Sequence, residues 1–454
     1  MKKRISLLLV CILIMTAFLT ACGGDSEGPA GTGEDDQVEE PDEKQADEDD
    51  GADKEEITLR FSWWGGDERH EATIEAIEKY EELHDNVNIK AEYSGWDGHQ
   101  EKITTQLSGG TAPDIMQINW NWLTIFSKDG EGFYDLNELS SELGLENFSD
   151  DILDFATVNG KLNGIPISLT GRCLYYNKTT YDKFGAELPK TWDDLYTVAE
   201  KFDEEGYYPL DLDSYSAWIL AIVYVEQQTG KPFLDDAGNL QFTEDDIKMG
   251  LQLYQDFMDK GVIPGAKERA GEGGDIPLHE LPNWIEGKYA GVFEWTSSVG
   301  KYAQPLEEKD QELVLGELPL PSDAKSNGWV VKPSMLFAIN KDTEYPEVAA
   351  DVLNFLLNEP EGVKALGTTR GVPVSESGLK VLEDEGLEGL EYEGTKLVLD
   401  NMGLGFGPYF EHTLLKDIYQ DTIDKLGFGE LDVDAAAEHM YESVSEALEE
   451  ILEE

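Results

Sequence analysis

Apolar and polar residues change rhythm repeatedly along this 454-residue chain. Over 57–62, Ile57, Leu59 and Phe61 alternate with Thr58, Arg60 and Ser62, the period of a half-buried strand. Trp63-Trp64-Gly65-Gly66 breaks the alternation, so 63–69 is expected as a loop. From 70 to 84, Ala72, Ile74, Ala76, Ile77, Tyr80 and Leu83 recur near helical spacing. A second strand is expected over 87–93, a short helix over 100–107, and a third strand over 115–118 after Pro113-Asp114. This β-α-β-α-β order predicts an α/β layer with helices on both faces of a sheet. Ligands of such sheets lie beyond the carboxyl ends of the strands. That puts the 63–69 loop and Asn119-Trp120-Asn121-Trp122 at a candidate cleft.

A second region is expected from Arg172 onward, with a strand over 174–176. Thr191 is placed to cap a helix opening at Trp192. The stretch 214–228 reads as a largely buried helix, and 245–260 as another, stopped by Gly261 and Pro264. Residues 313–318 lead out of this region toward Pro319 and Pro321. A strand is expected to end at 337–340, and a helix over 347–358 is ended by Pro360. From Ala435 the chain reads as an amphipathic helix with an acidic outer face. No repeat of solenoid period is present.

The first residues follow a different pattern. Lys2, Lys3 and Arg4 precede an apolar run over 5–18 and then Leu19-Thr20-Ala21-Cys22. A basic start, a short apolar run and small residues make a secretory signal over 1–21. The run is short for a membrane span. The Cys behind small residues resembles a bacterial lipobox, which implies a lipid on Cys22 and a mature chain anchored to the outer face of the cell membrane. An ordinary signal with an incidental Cys is the other reading. Residues 23–56 carry 16 acidic side chains against two lysines and almost nothing apolar. Such a segment buries too little to fold, so 22–56 is expected to be a lipidated, disordered acidic tether. As a flexible coil it spans roughly 30–35 Å, and more when its charges repel.

Charge narrows the function classes. Asp plus Glu number 95 against 34 Lys plus Arg, a net charge of −61. A nucleic-acid partner needs a basic face, so that class is set aside. Yet 40% hydrophobic and 10% aromatic residues require a folded body. An acidic surface suits a salty exterior, where screening relieves self-repulsion. Cys11 leaves with the signal and Cys22 takes lipid, so Cys173 stands alone and no intrachain disulfide is expected. A small buried hydrophobe is its expected role.

No enzyme signature is satisfied. There is no G-x-S-x-G and no P-loop. His70-Glu71 and His279-Glu280 lack the second His that a zinc helix needs. Residues 403–407 are glycine-rich but lack the dinucleotide pattern, and 235–239 reads as a hairpin turn rather than a calcium loop. No metal or cofactor is expected. What stands out is the placing of tryptophans at breaks between elements: Trp63, Trp64, Trp96, Trp120, Trp122, Trp284 and Trp295. An indole beside Asn, Asp or Gly offers a flat apolar face with polar neighbours, the combination that a sugar ring needs. Core packing accounts for any single one as well.

Four segments carry a resemblance. They are Leu174-Tyr175-Tyr176-Asn177-Lys178 continuing to Phe184-Gly185 and to 189–195; Gly109-Gly110-Thr111-Ala112-Pro113-Asp114-Ile115; Glu286-Gly287-Lys288-Tyr289-Ala290-Gly291-Val292 leading to Trp295; and Asn358-Glu359-Pro360-Glu361-Gly362 with Arg370-Gly371-Val372-Pro373. In order and spacing the chain resembles family 1 extracellular solute-binding proteins of carbohydrate ABC importers. The resemblance implies a two-lobed α/β fold of the type II periplasmic-binding class, with a ligand cleft between lobes. It implies no catalysis, a monomer, and a permease with its ATPase as partner. Lobe 1 is expected from 57–168 and 330–390, lobe 2 from 172–318 and 395–454, with crossings near 165–172, 318–329 and 385–395. Trp295 matches the family's stacking aromatic, and Tyr409 and Phe410 its late aromatic pair.

The segments 61–70, 94–98 and 117–122 are similar to members that bind oligogalacturonides. A separate observation bears on an anionic sugar. After Cys22 the chain has five arginines, Arg60, Arg69, Arg172, Arg269 and Arg370, and three fall in expected cleft or hinge segments. A guanidinium forks onto a carboxylate better than an ammonium does. A structural role for each arginine, and a neutral oligosaccharide as ligand, are the alternatives; a carbohydrate sensor or adhesion lipoprotein is the alternative to transport. The expected ligand-contacting set is Trp64, Asp67, Arg69, His70, Trp96, Asn119, Trp120, Asn121, Arg172, Trp218, Glu294, Trp295, Arg370, Tyr409 and Phe410.

Overall fold

A computed structural model describes residues 55–453 apart from 203–205, 236, 274–275 and 404–406. The signal at 1–21, Cys22, the tether as far as 54 and the centre of the 403–407 turn lie outside the described residues. Lys54–Glu454 forms one unit. Its strands are β1 (Ile57–Trp64), β2 (Val87–Ser94), β3 (Ile115–Ile118), β4 (Thr157–Val158), β5 (Lys161–Leu162), β6 (Ile165–Asn177), β7 (Gly291–Trp295), β8 (Leu313–Leu315) and β9 (Val331–Ile339).

β4 and β5 form a small hairpin, and the others join in one order, β2-β1-β3-β9-β6-β7, with β8 also on β6. β1 runs parallel to β2 and β3, and the remaining pairs are antiparallel. The axis of this arrangement is β6, buried at all thirteen positions. Its first half, Ile165 to Gly171, pairs with β9; its second half, from Arg172, pairs with β7 and β8. The register slips near Pro166, Ser168 and Leu169, where proline withholds a ladder donor. The expected first crossing and the strand at 174–176 are therefore one continuous strand.

The expected β-α-β-α-β opening is present, with one correction. β1 extends through Trp64, and a helix begins at Asp67, so 63–69 is not a loop. Gly65 and Gly66 suffice for the turn, and Asp67 and Glu68 favour the positive end of the helix that follows. Thr191 caps the helix Trp192–Lys201 in a full capping box with Asp194. The helix Ser214–Thr229 is buried on nearly every face, as its unbroken apolar run requires, and ends at a left-handed Gly230. The 235–239 turn is closed by the Asp235 carboxylate, which accepts from the Ala237 and Asn239 amides. No described helix is long and apolar enough to cross a membrane.

Candidate functional site

Sheet register assembles a charged aromatic cluster from distant parts of the chain. On β6, Thr170 lies opposite Lys332 of β9, and Arg172 lies opposite Trp295 of β7. Positions i and i+2 share a sheet face, so Lys332, Thr170, Arg172 and Trp295 form one row. The Arg172 guanidinium carbon stands 4.6 Å from the Trp295 ring centre, and Lys332 Nζ stands 4.7 Å from it. Arg172 donates to Ser216 Oγ at 2.9 Å and to the Phe293 carbonyl at 2.6 Å, and lies 3.6 Å from Glu294. Glu294 accepts from the Trp295 amide and from Tyr302 Oη, each at 2.7 Å.

The second carboxylate is Glu411, on the short turn Pro408–Glu411. Its Oε1 meets Lys332 Nζ at 2.8 Å and accepts from Tyr215 Oη at 2.8 Å, while Oε2 lies 3.6 Å from Lys416 Nζ. Lys416 also stands 4.7 Å from the Tyr215 ring centre. Burial alone would raise the Glu411 pKa, but the charges of Lys332 and Lys416 overcome it and hold the pKa at about 2. Burial draws Lys332 below its ordinary value, and Glu411 opposes that change. Three cations here face two carboxylates. Each cation over a ring gains from the aromatic quadrupole, and indole face given to Arg172 and Lys332 is not open to a sugar.

The same turn reaches a cavity of about 560 Å³, within the usual range of roughly 300–1,000 Å³ for small-molecule sites. Pro408 and Tyr409 form one wall with Ala237; Trp120, Phe155, Thr124, Asp151, Asp154 and Asn159 lie among the residues of the other. Trp120 Nε1 donates to the Phe155 carbonyl at 2.7 Å, which fixes the indole against the cavity. The turn also touches the segment Trp120–Trp122. The Pro408–Glu411 turn thus borders both the cavity and the charged row.

The remaining expected residues divide. Trp96 is half exposed and stacks on Trp122 with Trp64 edge-on, an aromatic platform at the ends of β1 and β2. Asp67 is exposed and Asn119 and Asn121 are half-buried beside Trp120. His70 is packed against Tyr93, and its Nδ1 accepts from Trp63 Nε1 at 3.1 Å. Arg69 donates to the carbonyls of Thr369 and Trp64, which ties the first helix to the loop before Arg370. Three residues are moved inward. Arg370 is buried, donating to Gln117 Oε1 and Thr73 Oγ1 at 2.8 Å each. Trp218 and Phe410 are fully buried around Phe233 and Tyr419: Trp218 because its helix is apolar on all sides and sinks into the core, Phe410 because its ring stacks on Tyr419 from the Pro408–Glu411 turn. Of the tryptophans at element breaks, Trp63, Trp64, Trp120, Trp122 and Trp284 are likewise buried. Tyr215, Lys332, Glu411 and Lys416 were missed; only strand register and a tertiary turn join them.

A family model described as bacterial extracellular solute-binding protein matches residues 66–363. The diacetylchitobiose-binding protein of Streptomyces coelicolor is 27% identical over 305 residues, 65% of this chain and 68% of that one. A periplasmic oligogalacturonide-binding protein from Yersinia enterocolitica is 38% identical, with a TM-score of 0.81 over 87% of this chain and 100% of that one. The same protein in complex with saturated digalacturonic acid gives a TM-score of 0.74 at the same identity and coverage. A de novo designed cysteine esterase is also similar, 38% identical with a TM-score of 0.84 over 87% and 99% of the two chains. That activity belongs to an artificial protein. Here Cys173 is buried, and burial pushes its thiol up to about 12, the opposite of an activated nucleophile.

Proposed function

Because this chain belongs to the bacterial extracellular solute-binding protein family, we propose that it captures a uronic-acid-containing oligosaccharide and delivers it to an ABC permease. The observation that carries the uronate is the row of Arg172 and Lys332 over Trp295, with Lys416 nearby. A neutral sugar has no use for three gathered cations, whereas a carboxylate gains charge-assisted hydrogen bonds from them. The likeness to an oligogalacturonide-binding protein over 87% of the chain supports the same ligand class. Lobes built on the two halves of β6 close around the sugar, Trp96 offers an exposed apolar ring face, and the permease reads the closed form. Cys22 anchors the protein by lipid at the outer face of the membrane, and the acidic tether gives it reach.

The cavity beside Tyr409 favours a second reading. Asp151 and Asp154 on its wall suit sugar hydroxyls and outnumber the one cation among the described residues there, Lys128, so a neutral oligosaccharide, or the neutral end of a longer one, fits there. Calorimetry with digalacturonate and with a neutral xylo-oligosaccharide separates the readings. Digalacturonate is expected to bind far more tightly than the neutral sugar, and Lys332→Met is expected to weaken it. Binding of the neutral sugar alone would overturn the uronide reading and leave the transport role intact.

A further inference from the structure

Glu411 is placed where a ligand carboxylate would be most stable. It bridges Lys332 and Lys416, accepts from Tyr215, and sits on a turn that borders the cavity. Its cations are not deep core groups: Lys332 keeps about a sixth of its side-chain surface exposed, at 18%, and Lys416 about a third, at 35%. Next to Lys332 on the same ring, the Nε of Arg172 has no hydrogen-bond partner among the described residues. Counted with Lys416, the cluster therefore holds more positive charge and more donors than Glu294 and Glu411 use. The arrangement is that of a carboxylate site already holding a carboxylate from its own chain.

Resting on the uronide reading, we propose that Glu411 is an internal surrogate for the ligand's carboxylate, competing with it for Lys332 and Lys416. Without sugar it keeps two cations ordered and compensated, since a partly buried ammonium without a counter-charge is costly. When a uronate enters, its carboxylate takes over the contact with Lys332, and the Glu411 side chain swings aside while Phe410 holds the turn in the core. A neutral sugar has no charged group with which to displace Glu411 and leaves the contact in place, whereas an anionic one replaces it.

Binding and stability measured side by side test this. In Glu411→Gln the competitor's charge is gone, so digalacturonate affinity is expected to rise about tenfold at low ionic strength, and affinity for neutral digalactose to stay within about twofold. The same variant is expected to melt lower, because two cations lose their counter-charge. Tighter binding with lower stability is a combination that a merely structural carboxylate does not give. Glu411→Asp keeps the charge but withdraws it from Lys332; it serves as the second variant should the first not fold, with a smaller rise expected. Unchanged or weaker digalacturonate binding in a folded variant overturns the assignment, as does parallel weakening of both sugars, which would make Glu411 a hydroxyl acceptor. Wild-type protein that ignores digalacturonate overturns the uronide reading itself, an outcome distinct from either.

Discussion

Trp96 and Trp218 are the same side chain in opposite settings, and they separate packing from recognition. Trp218 is fully buried between Phe233 and Tyr419, and Trp96 is half exposed over Trp122. Trp218→Ala is expected to cost about 3–5 kcal/mol in urea unfolding, and Trp96→Ala about 1–2 kcal/mol. Sugar affinity is expected to fall for Trp96→Ala at full folding, which calorimetry reads directly. Glu411 adds a pH signature. Its pKa is drawn from an ordinary 4.5 to about 2 in the folded state. A depressed carboxylate contributes stability that is complete above the unfolded value and is lost as pH falls through the folded one. The stability gap between wild type and Glu411→Gln is therefore expected to be constant above about pH 4.5 and to close toward pH 2. A gap that closes as pH rises would contradict the ion-pair geometry.

At the scale of elements, β6 and the helix Leu390–Asp400 hold the two halves of the sheet together. A Cβ on Gly171 would meet the Val398 side chain at 2.4 Å, and one on Gly394 would meet Tyr175 Oη at 2.6 Å. Helix and strand thus touch at two glycines, with Cys173 directed at the Gly394 carbonyl. Gly171→Ala is expected to cost about 1–3 kcal/mol through overpacking, with faster hydrogen exchange confined to 390–400 and β6. The opening β-α-β-α-β unit was legible in the sequence because its first two strands alternate, its helix keeps period 3.6 and Pro113-Asp114 marks the start of the third strand. β6 was half legible: Leu174-Tyr175-Tyr176 reads as strand, whereas Pro166 and Gly171 disguise the rest. The site was less legible still. Arg172 and Trp295 could be singled out as unusual residues, but Lys332 and Glu411 become neighbours only when β9 pairs with β6 and the 408–411 turn folds back. Tryptophans at element breaks do not by themselves separate recognition from packing, since strand ends can be buried by the next helix.

At the scale of the molecule, the charge of −61 sets a field that the local cations must work against. Screening lengths fall from about 30 Å at 10 mM salt to about 3 Å at 1 M. Self-repulsion acts over the whole surface and is removed by salt, so the melting temperature is expected to rise with NaCl. The approach of an anionic sugar depends on the same long-range field, whereas the contacts proposed for it with Lys332 and Arg172 would lie within a few ångströms and be screened far less. The two ranges separate in kinetics. The association rate of digalacturonate is expected to increase with salt, because the repulsion being screened lies along its path. That of a neutral oligosaccharide is expected to stay flat, and the dissociation rate of digalacturonate to change little. Stopped-flow tryptophan fluorescence at low and high NaCl reads all three. An association rate that falls with salt would mean that a local positive potential outweighs the acidic surface far from the cleft, and the anionic body would then be no barrier to this ligand.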